Sequence, residues 1–270
     1  MKSHALALVS LALFGLTTFA FADPIPEDGL VAYYTFNEDF KDHSGNGNHG
    51  QAHGGPTWAR GPVGAALRLD GVDDYVKIVP KSDVSKIGDF TVSVWTYMEG
   101  FKPQPGDQAD RQYIFDGHSP APGFFLIYDQ RGTRQEIHNG YLLSKRSHLE
   151  QKRSAKVMGG WHHLVFIRKV SEDVTYLDGR PLDGPYAHTG KHNRPLDMNH
   201  PWFVGTIAGN NPNLPHRGFN RSFYGMLDEL RIYSRALSAG EVETIYGVES
   251  KSVTDMPLVK SVPKWSHEAN

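Results

Sequence analysis

The chain has no cysteine among its 270 residues, so no disulfide can hold the fold together. Its charge is nearly balanced, with a formal net charge of −2, and no global electrostatic argument favours a nucleic-acid partner. No long apolar run occurs after about residue 22, so we expect no membrane span once that first segment is removed. A large apolar core, with or without a bound metal, must therefore stabilise the protein.

The one long apolar run lies at the N-terminus. Lys2 and His4 precede it, and the stretch 20–22 supplies the small residues that a signal peptidase needs. We therefore expect residues 1–22 to be a signal peptide and the protein to be exported to the periplasm, the cell surface or the medium. No cysteine follows the run, which excludes a lipid-anchored lipoprotein.

The remaining chain predicts β-strands almost everywhere. Its apolar segments are short, rich in β-branched and aromatic residues, and separated by Gly, Pro, Asn or Asp clusters. They are LVAYYTF, AALRLDG, DYVKIV, FTVSVWTY, QYIFDG, GFFLIYD, WHHLVFIRKV, VTYLDG, WFVGTIAG and YGMLDELRIY. Only SAGEVETIYG predicts a helix, with Ser238 as its N-cap and Gly247 as its stop. The pattern indicates an all-β protein, an antiparallel β-sandwich with one short C-terminal helix.

Three long connections are expected between these strands, at residues 100–111, 140–158 and 208–222. Long loops on a rigid sandwich are common places for binding sites. The segment 140–158 is locally basic, and the segment 208–222 is rich in Asn, Pro and Arg.

Six segments, in order, resemble the laminin-G-like (concanavalin A-like) jelly-roll domains of exported bacterial proteins. They are GLVAYYTFNEDFKDHSGNGNHG, ARGPVGAALRLDGVDDYVKI, GDFTVSVWTY, GWHHLVFIRK, VTYLDGRPL and YGMLDELRIYSRALSAGEVETIY. The resemblance covers residues 28–247 and leaves 248–270 as a polar C-terminal tail. It implies a jelly-roll sandwich. It says less about function, because this fold carries lectins, adhesion modules and enzymes. Domains of this kind often bind one calcium ion near the rim of the sandwich, so the resemblance also implies a calcium site there.

The stretch FNEDFKDHSGNGNHG at 36–50 suggests where such a calcium ion would lie. Asp42, Ser44 and Asn46 place oxygen side chains at alternate positions before a glycine, as in the first half of a calcium loop. Calcium needs about six to eight oxygens, so Asn37 and Asp228 are the candidates for further ligands. Asx-turns with glycines at positive φ explain the same composition without an ion. Both interpretations stay open.

A ligand site is predicted around the segment 208–222. Trp202 and Phe219 flank it, and a ring beside amide and guanidinium donors suits a sugar or another polar ligand. The candidate ligand-binding residues are Trp202, Asn210, Asn211, His216, Arg217 and Phe219. The alternative is that Trp202 only covers the edge of the core. The basic segment 140–158 is the next candidate, for an acidic polysaccharide.

Signatures of catalysis are missing from the sequence. Laminarinase-type hydrolases carry E-x-D-x-E on one strand, and Glu136 has no partner at that spacing. His138 lies in a stretch with a superficial likeness to an alginate-lyase strand, but the spacing differs. Asp70, Asp73 and Asp74 are interpreted as a hairpin turn, because Asp-Gly between two strands favours one.

The sequence therefore predicts an exported binding module for carbohydrate or another surface ligand, with one structural calcium. Two alternatives remain open. One is a polysaccharide hydrolase or lyase on the same fold, and the other is an adhesion or scaffold domain that contacts a protein.

Overall fold

A computed structural model describes residues 24–81, 83–84, 86–100, 111–117, 123–131, 134–144, 147–188, 195–207 and 221–253. In these ranges sixteen strands form two β-sheets. The strands are β1 Leu30–Tyr34, β2 Gly50–His53, β3 Thr57–Gly61, β4 Gly64–Asp70, β5 Tyr75–Ile78, β6 Phe90–Met98, β7 Arg111–Gly117, β8 Gly123–Arg131, β9 Arg134–Ser144, β10 Ser147–Ser154, β11 Trp161–Lys169, β12 Glu172–Leu177, β13 Arg180–Pro181, β14 Tyr186–Ala187, β15 Trp202–Val204 and β16 Tyr224–Tyr233. The helix α1 (Ala239–Glu249) and a 3-10 turn (Ser250–Ser252) follow.

The nine-stranded sheet has the order β13-β12-β11-β6-β16-β4-β3, with β1 paired to β16 and β14 paired to β12. The seven-stranded sheet has the order β10-β9-β8-β7-β15-β5-β2. Every pairing between these strands is antiparallel. The predicted antiparallel sandwich is confirmed.

The main core lies between the two sheets. Val92 and Val94 on β6 pack in one cluster with Phe124 and Leu126 on β8. Residues two apart on a strand point to the same face, so each of these pairs faces the space between the sheets. The central strand β6 is buried along its whole length, so its outward side chains are covered as well.

The first and last strands lie side by side, as expected. Tyr33 of β1 is paired with Arg231 of β16, and Tyr34 is paired with Leu230. The N-terminal and C-terminal parts of the chain therefore close the same sheet.

The helix α1 covers the outer face of the nine-stranded sheet. Its N-terminus is the predicted one, since Ser238 and Glu241 form a reciprocal capping box. Val242 and Ile245 pack on that outer face. The predicted stop at Gly247 is wrong, because the helix continues to Glu249 and tertiary contacts of its last residue hold the final turn in place. Within the described ranges, no helix has the length and apolar character that crossing a membrane requires.

Two expectations about connections are wrong. The segment 140–158 is mostly strand, since β9 and β10 pair as a hairpin; their mixed polar composition hid the alternation. The Asp70–Gly71 turn is not a hairpin, because β4 and β5 belong to different sheets. Asp70 Oδ1 accepts a hydrogen bond from Val72 N at 2.8 Å, and Gly71 has φ of +73°, so this turn carries the chain from one sheet to the other.

Candidate functional site

The turn at 36–50 supports the end of β1 through its own hydrogen bonds. Asp42 Oδ1 accepts from Tyr33 N at 3.0 Å and Ser44 N at 2.9 Å, and Asp42 Oδ2 accepts from Asn48 N at 2.8 Å. These donors help to hold the pKa of Asp42 below its ordinary value against the opposing effect of burial. Three backbone N–H groups thus satisfy the Asp42 carboxylate, and the Ser44 side chain contributes as well.

Ser44 and Asn46 donate hydrogen bonds to backbone carbonyls of β1. Ser44 Oγ donates to Val31 O at 3.1 Å, and Asn46 Nδ2 donates to Leu30 O at 2.9 Å. Side-chain capping of a strand's terminal carbonyls explains why so many short polar residues occur in this stretch.

Asn37 and Asp228 bond to a different place, the tight hairpin between β3 and β4. Asn37 Oδ1 accepts from Ala65 N at 2.6 Å, and Asp228 Oδ2 accepts from Val63 N at 3.1 Å. A Cβ on Gly61 would lie 2.4 Å from Asp228 Oδ2, so only a glycine lets the carboxylate approach. Asn37 and Asp228 thus bond to the same hairpin, whereas Asp42, Ser44 and Asn46 bond to β1.

Asp228 is electrostatically unusual. The side chain is fully buried, and burial raises its pKa to about 9, with the nearby carboxylates of Glu229 and Glu249 adding to the effect. A buried carboxylate without a cation is costly. The oxygens of Asp228 and Asn37 therefore suit a hard cation such as calcium in chemical type.

The predicted ligand loop receives less support. Trp202 is fully buried in the main core, and its Nε1 donates to Met198 O at 3.0 Å. Its predicted contact with a ligand is wrong, because no face of the ring reaches the surface. The other predicted ligand residues, Asn210, Asn211, His216, Arg217 and Phe219, lie outside the described residues.

The outer face of the seven-stranded sheet carries ionisable side chains that the sequence did not group together. Tyr128 on β8 and Ile137 on β9 belong to the main core. Because side chains alternate along a strand, Asp129, Glu136 and His138 face outward. Neighbouring strands bring them together, since Asp129 is paired with Glu136.

These side chains form a compact group that we call the His138 cluster. His138 Nδ1 lies 2.9 Å from Glu150 Oε1 and 3.4 Å from Asp129 Oδ2. Its Nε2 lies 2.8 Å from Glu136 Oε2. Arg111 Nε bonds Asp129 Oδ2 at 3.0 Å, and Arg111 Nη2 lies 3.2 Å from Glu150 Oε1. Four adjacent strands, β7 to β10, each contribute to the group.

The His138 cluster is partly accessible. The ring of His138 is fully buried, but the side chains of Arg111, Glu136 and Glu150 are 16%, 11% and 17% exposed. The hydrogen bond with His138 is the largest cause that lowers the pKa of Glu150 to about 2, and the Arg111 charge adds to it. Glu150 is therefore ionised at neutral pH and offers strong acceptor oxygens.

One signal for this cluster was visible in the sequence. Glu136 and His138 are two apart on a strand, which places them on one face. Their partners Arg111, Asp129 and Glu150 come from three other strands, so only the sheet order identifies them.

The sequence profile of the concanavalin A-like lectin/glucanases superfamily matches residues 70–243, well over half of the chain. The chain belongs to this superfamily. No curated protein is similar enough in sequence to count as a relative.

Solved structures with the same fold include domain 4 of AbnA, a GH43 extracellular arabinanase from Geobacillus stearothermophilus, in complex with arabinotriose. It is 21% identical with a TM-score of 0.56, and the match covers 80% of this chain and 98% of that domain. The receptor binding domain of botulinum neurotoxin C/D mosaic serotype is 13% identical with a TM-score of 0.62, over 83% and 52% of the two chains.

The botulinum neurotoxin serotype D ligand binding domain, in complex with N-acetylneuraminic acid, is 13% identical with a TM-score of 0.61, and the match covers 82% of this chain and 51% of that one. The present chain thus spans about half the length of the toxin domains that it resembles. At these identities the likeness establishes the fold.

Proposed function

We propose that this protein is an exported carbohydrate-binding module whose glycan contacts the outer face of the seven-stranded sheet. The observation that carries the proposal is the His138 cluster. This cluster places three carboxylates, a guanidinium and an imidazole together on the outer face of the seven-stranded sheet, outside the apolar core.

Charged groups that are mostly buried lower stability unless they are paired, and well-packed apolar residues often replace them without loss. Here the side chains of Arg111, Glu136 and Glu150 are partly exposed on one face, which favours a role in recognition. Carboxylate and guanidinium groups at fixed spacing match the hydroxyl groups of a sugar, which both donate and accept hydrogen bonds.

The structural neighbours support a sugar ligand by analogy. The AbnA domain is described in complex with arabinotriose, and the serotype D toxin domain in complex with N-acetylneuraminic acid. Their ligands differ, so they favour a class of ligand rather than one sugar.

A glycan array with the protein lacking residues 1–22 tests the proposal, followed by calorimetry on the best glycan. We expect Glu136→Gln, which keeps the shape of the side chain but removes its charge, to weaken binding at least tenfold. Glu243→Gln, an exposed position on α1, should leave it unchanged. A protein that binds no glycan, or a Glu136→Gln variant that binds as tightly as wild type, would contradict the proposal. Release of reducing sugar from a polysaccharide panel would favour the hydrolase alternative.

We also propose one structural calcium at the β3–β4 hairpin, held in part by Asp228 and Asn37. Its support is the full burial of the Asp228 carboxyl group, because burial raises its pKa to about 9 and a bound cation would stabilise the ionised form. Asp42, Ser44 and Asn46 are left out of this proposal, since their hydrogen bonds attach the turn to β1 rather than to the β3–β4 hairpin. Calcium titration followed by calorimetry, with Asp228→Asn as the variant that should bind no calcium, tests the assignment.

We also propose that the protein is exported and that residues 1–22 are removed during export. N-terminal sequencing of the protein recovered from its native host should start at Asp23. A mature protein that still begins with Met1 would contradict it.

A further inference from the structure

A stack of three aromatic rings lies at the opposite side of the same sheet face from the His138 cluster. The rings of His53 and Tyr75 are nearly parallel, with centroids 4.5 Å apart and an interplanar angle of 7°. The ring of Phe203 lies 6.0 Å from Tyr75 at 44°. The three residues come from the adjacent strands β2, β5 and β15, and none of them belongs to the main core.

His53 is the outermost ring of this stack. The strand β2 ends the order of the seven-stranded sheet, and the His53 side chain is exposed while Tyr75 and Phe203 are partly buried. One face of the imidazole packs on Tyr75, so its other face is directed past the edge of the sheet. Tyr75 packs on the inner face of the exposed ring, and Phe203 in turn contacts Tyr75.

A row of carboxylates lies beside the stack. The carboxylates of Asp70, Asp73 and Asp74 approach within 4.8 Å of one another. Gly54, which follows His53, packs on this turn, because a Cβ there would lie only 2.6 Å from Asp74 Oδ1. The acidic turn and the ring stack are therefore direct neighbours.

The three carboxylates are not equivalent. Asp70 Oδ1 accepts from Val72 N, and Asp74 Oδ2 accepts from Asp70 N at 2.9 Å, so both have structural roles. The Asp73 side chain is exposed, and no described residue donates a hydrogen bond to it. Asp73 is thus the acceptor that a ligand can use.

We propose that His53 and Asp73 form a subsite for one neutral pyranose ring, which stacks on the exposed imidazole face and donates a hydroxyl hydrogen bond to Asp73. The inference rests on the proposed carbohydrate-binding function and adds a second contact region to it. The chemistry is complementary on both sides. A pyranose has an apolar C–H face that packs on an aromatic ring, and hydroxyl groups at its rim that a carboxylate accepts.

Calorimetry on the best glycan from the array tests the subsite. We expect His53→Ala to weaken binding at least fivefold, and Asp73→Asn to weaken it severalfold. His53→Trp, which enlarges the stacking ring, should bind as tightly as wild type or more tightly. The matched control is His43→Ala, an exposed histidine that contacts Tyr33 edge-on at 6.2 Å on another part of the surface, and it should not change affinity.

Two outcomes overturn the subsite in distinguishable ways. If His53→Ala and Asp73→Asn both bind as wild type while Glu136→Gln loses binding, the sugar contacts only the His138 cluster, and the proposed function stands. If the wild type binds no glycan, the subsite and the proposed function both fail.

Discussion

The two outer faces of the sandwich are built in opposite ways. The helix α1 covers the outer face of the nine-stranded sheet with an apolar cluster that includes Val165, Tyr233 and Ile245. The outer face of the seven-stranded sheet instead carries the His138 cluster and the ring stack. Both faces contain ionised groups, and on the second face the partly exposed side chains of Arg111, Glu136 and Glu150 surround the buried ring of His138.

The charged groups beneath α1 are fully enclosed and have structural partners. Glu249 Oε2 accepts from Trp95 Nε1 at 2.6 Å, and Glu249 Oε1 lies 2.7 Å from Arg231 Nη1. Arg231 also bonds Glu229, whose carboxylate accepts from Tyr33 Oη at 2.6 Å. The comparison teaches that buried charges on one face attach a helix to the sheet through hydrogen bonds and ion pairs. Similar charges on the other face are partly exposed and therefore accessible to a ligand.

The strongest test of this difference is Trp95→Ala. Trp95 is 1% exposed and lies between β6 and α1, so its loss leaves a large cavity and removes the hydrogen bond from Nε1 to Glu249 Oε2. We expect a loss of about 3–5 kcal/mol in the free energy of unfolding, measured by urea denaturation. Trp161→Ala, on the same face but only partly buried, should lose less. Equal losses of unfolding free energy for the two variants would mean that α1 does not bury the outer face of the nine-stranded sheet at Trp95.

The second test is the pH dependence of stability. Burial is the main cause that raises the pKa of Glu249 to about 7 from its ordinary value of 4.5, with Glu229 adding to it and Arg231 opposing it. The folded protein therefore keeps a proton that the unfolded chain loses. The resulting stability is complete below about pH 4.5 and is lost as the pH rises to about 7, by up to about 3 kcal/mol.

Glu249→Gln should make this dependence shallower, because the amide does not titrate, while Asp228, whose pKa is also raised by burial, keeps its own contribution. Urea midpoints at pH 5 and pH 8 for both proteins measure the effect, and Glu243→Gln serves as the exposed control. A variant with the same slope as wild type would show that Glu249 is not the titrating group.

The third test concerns the proposed calcium. Calcium at about 100 times its dissociation constant would stabilise the folded protein by about 2.7 kcal/mol. Each kcal/mol moves the melting temperature of a domain this size by roughly 2–4 °C, so chelation should lower it by about 5–10 °C. Asp228→Asn should abolish the response. Asp42→Ala should destabilise the protein equally with and without calcium, since the bonds of Asp42 lie within the 36–50 turn and to β1, outside the proposed site. A wild type that melts at one temperature under both conditions would exclude the ion.

The smallest expected effect is the loss of the N-cap of α1. Ser238→Ala removes the hydroxyl that accepts from Glu241 N at 3.3 Å, and such substitutions lower stability by about 1 kcal/mol. Ser238→Asp should restore most of the loss. An alanine variant as stable as wild type would show that the contacts of Trp95 and Glu249 alone hold the helix.

The strands were predictable because their signal is local. The alternation of Phe90, Val92 and Val94 with more polar neighbours indicates one buried face, and these three residues do pack in the main core. The capping box of α1 was equally readable, since Ser238 and Glu241 are three residues apart. The polar strands β9 and β10 gave no such signal, because polar side chains occupy both of their faces.

The sequence by itself determined the sandwich, the neighbouring positions of the first and last strands, and the residue types available for binding. Only the tertiary structure decided that Trp202 is a core residue, that the Asp70–Gly71 turn joins different sheets, and that Arg111, Glu136 and His138 meet on one face. Periodicity fixes which side of a strand a residue occupies. The pairing of strands far apart in sequence fixes which residues lie beside that residue. This pairing depends on the stability of the whole sheet, which no local segment of the sequence determines.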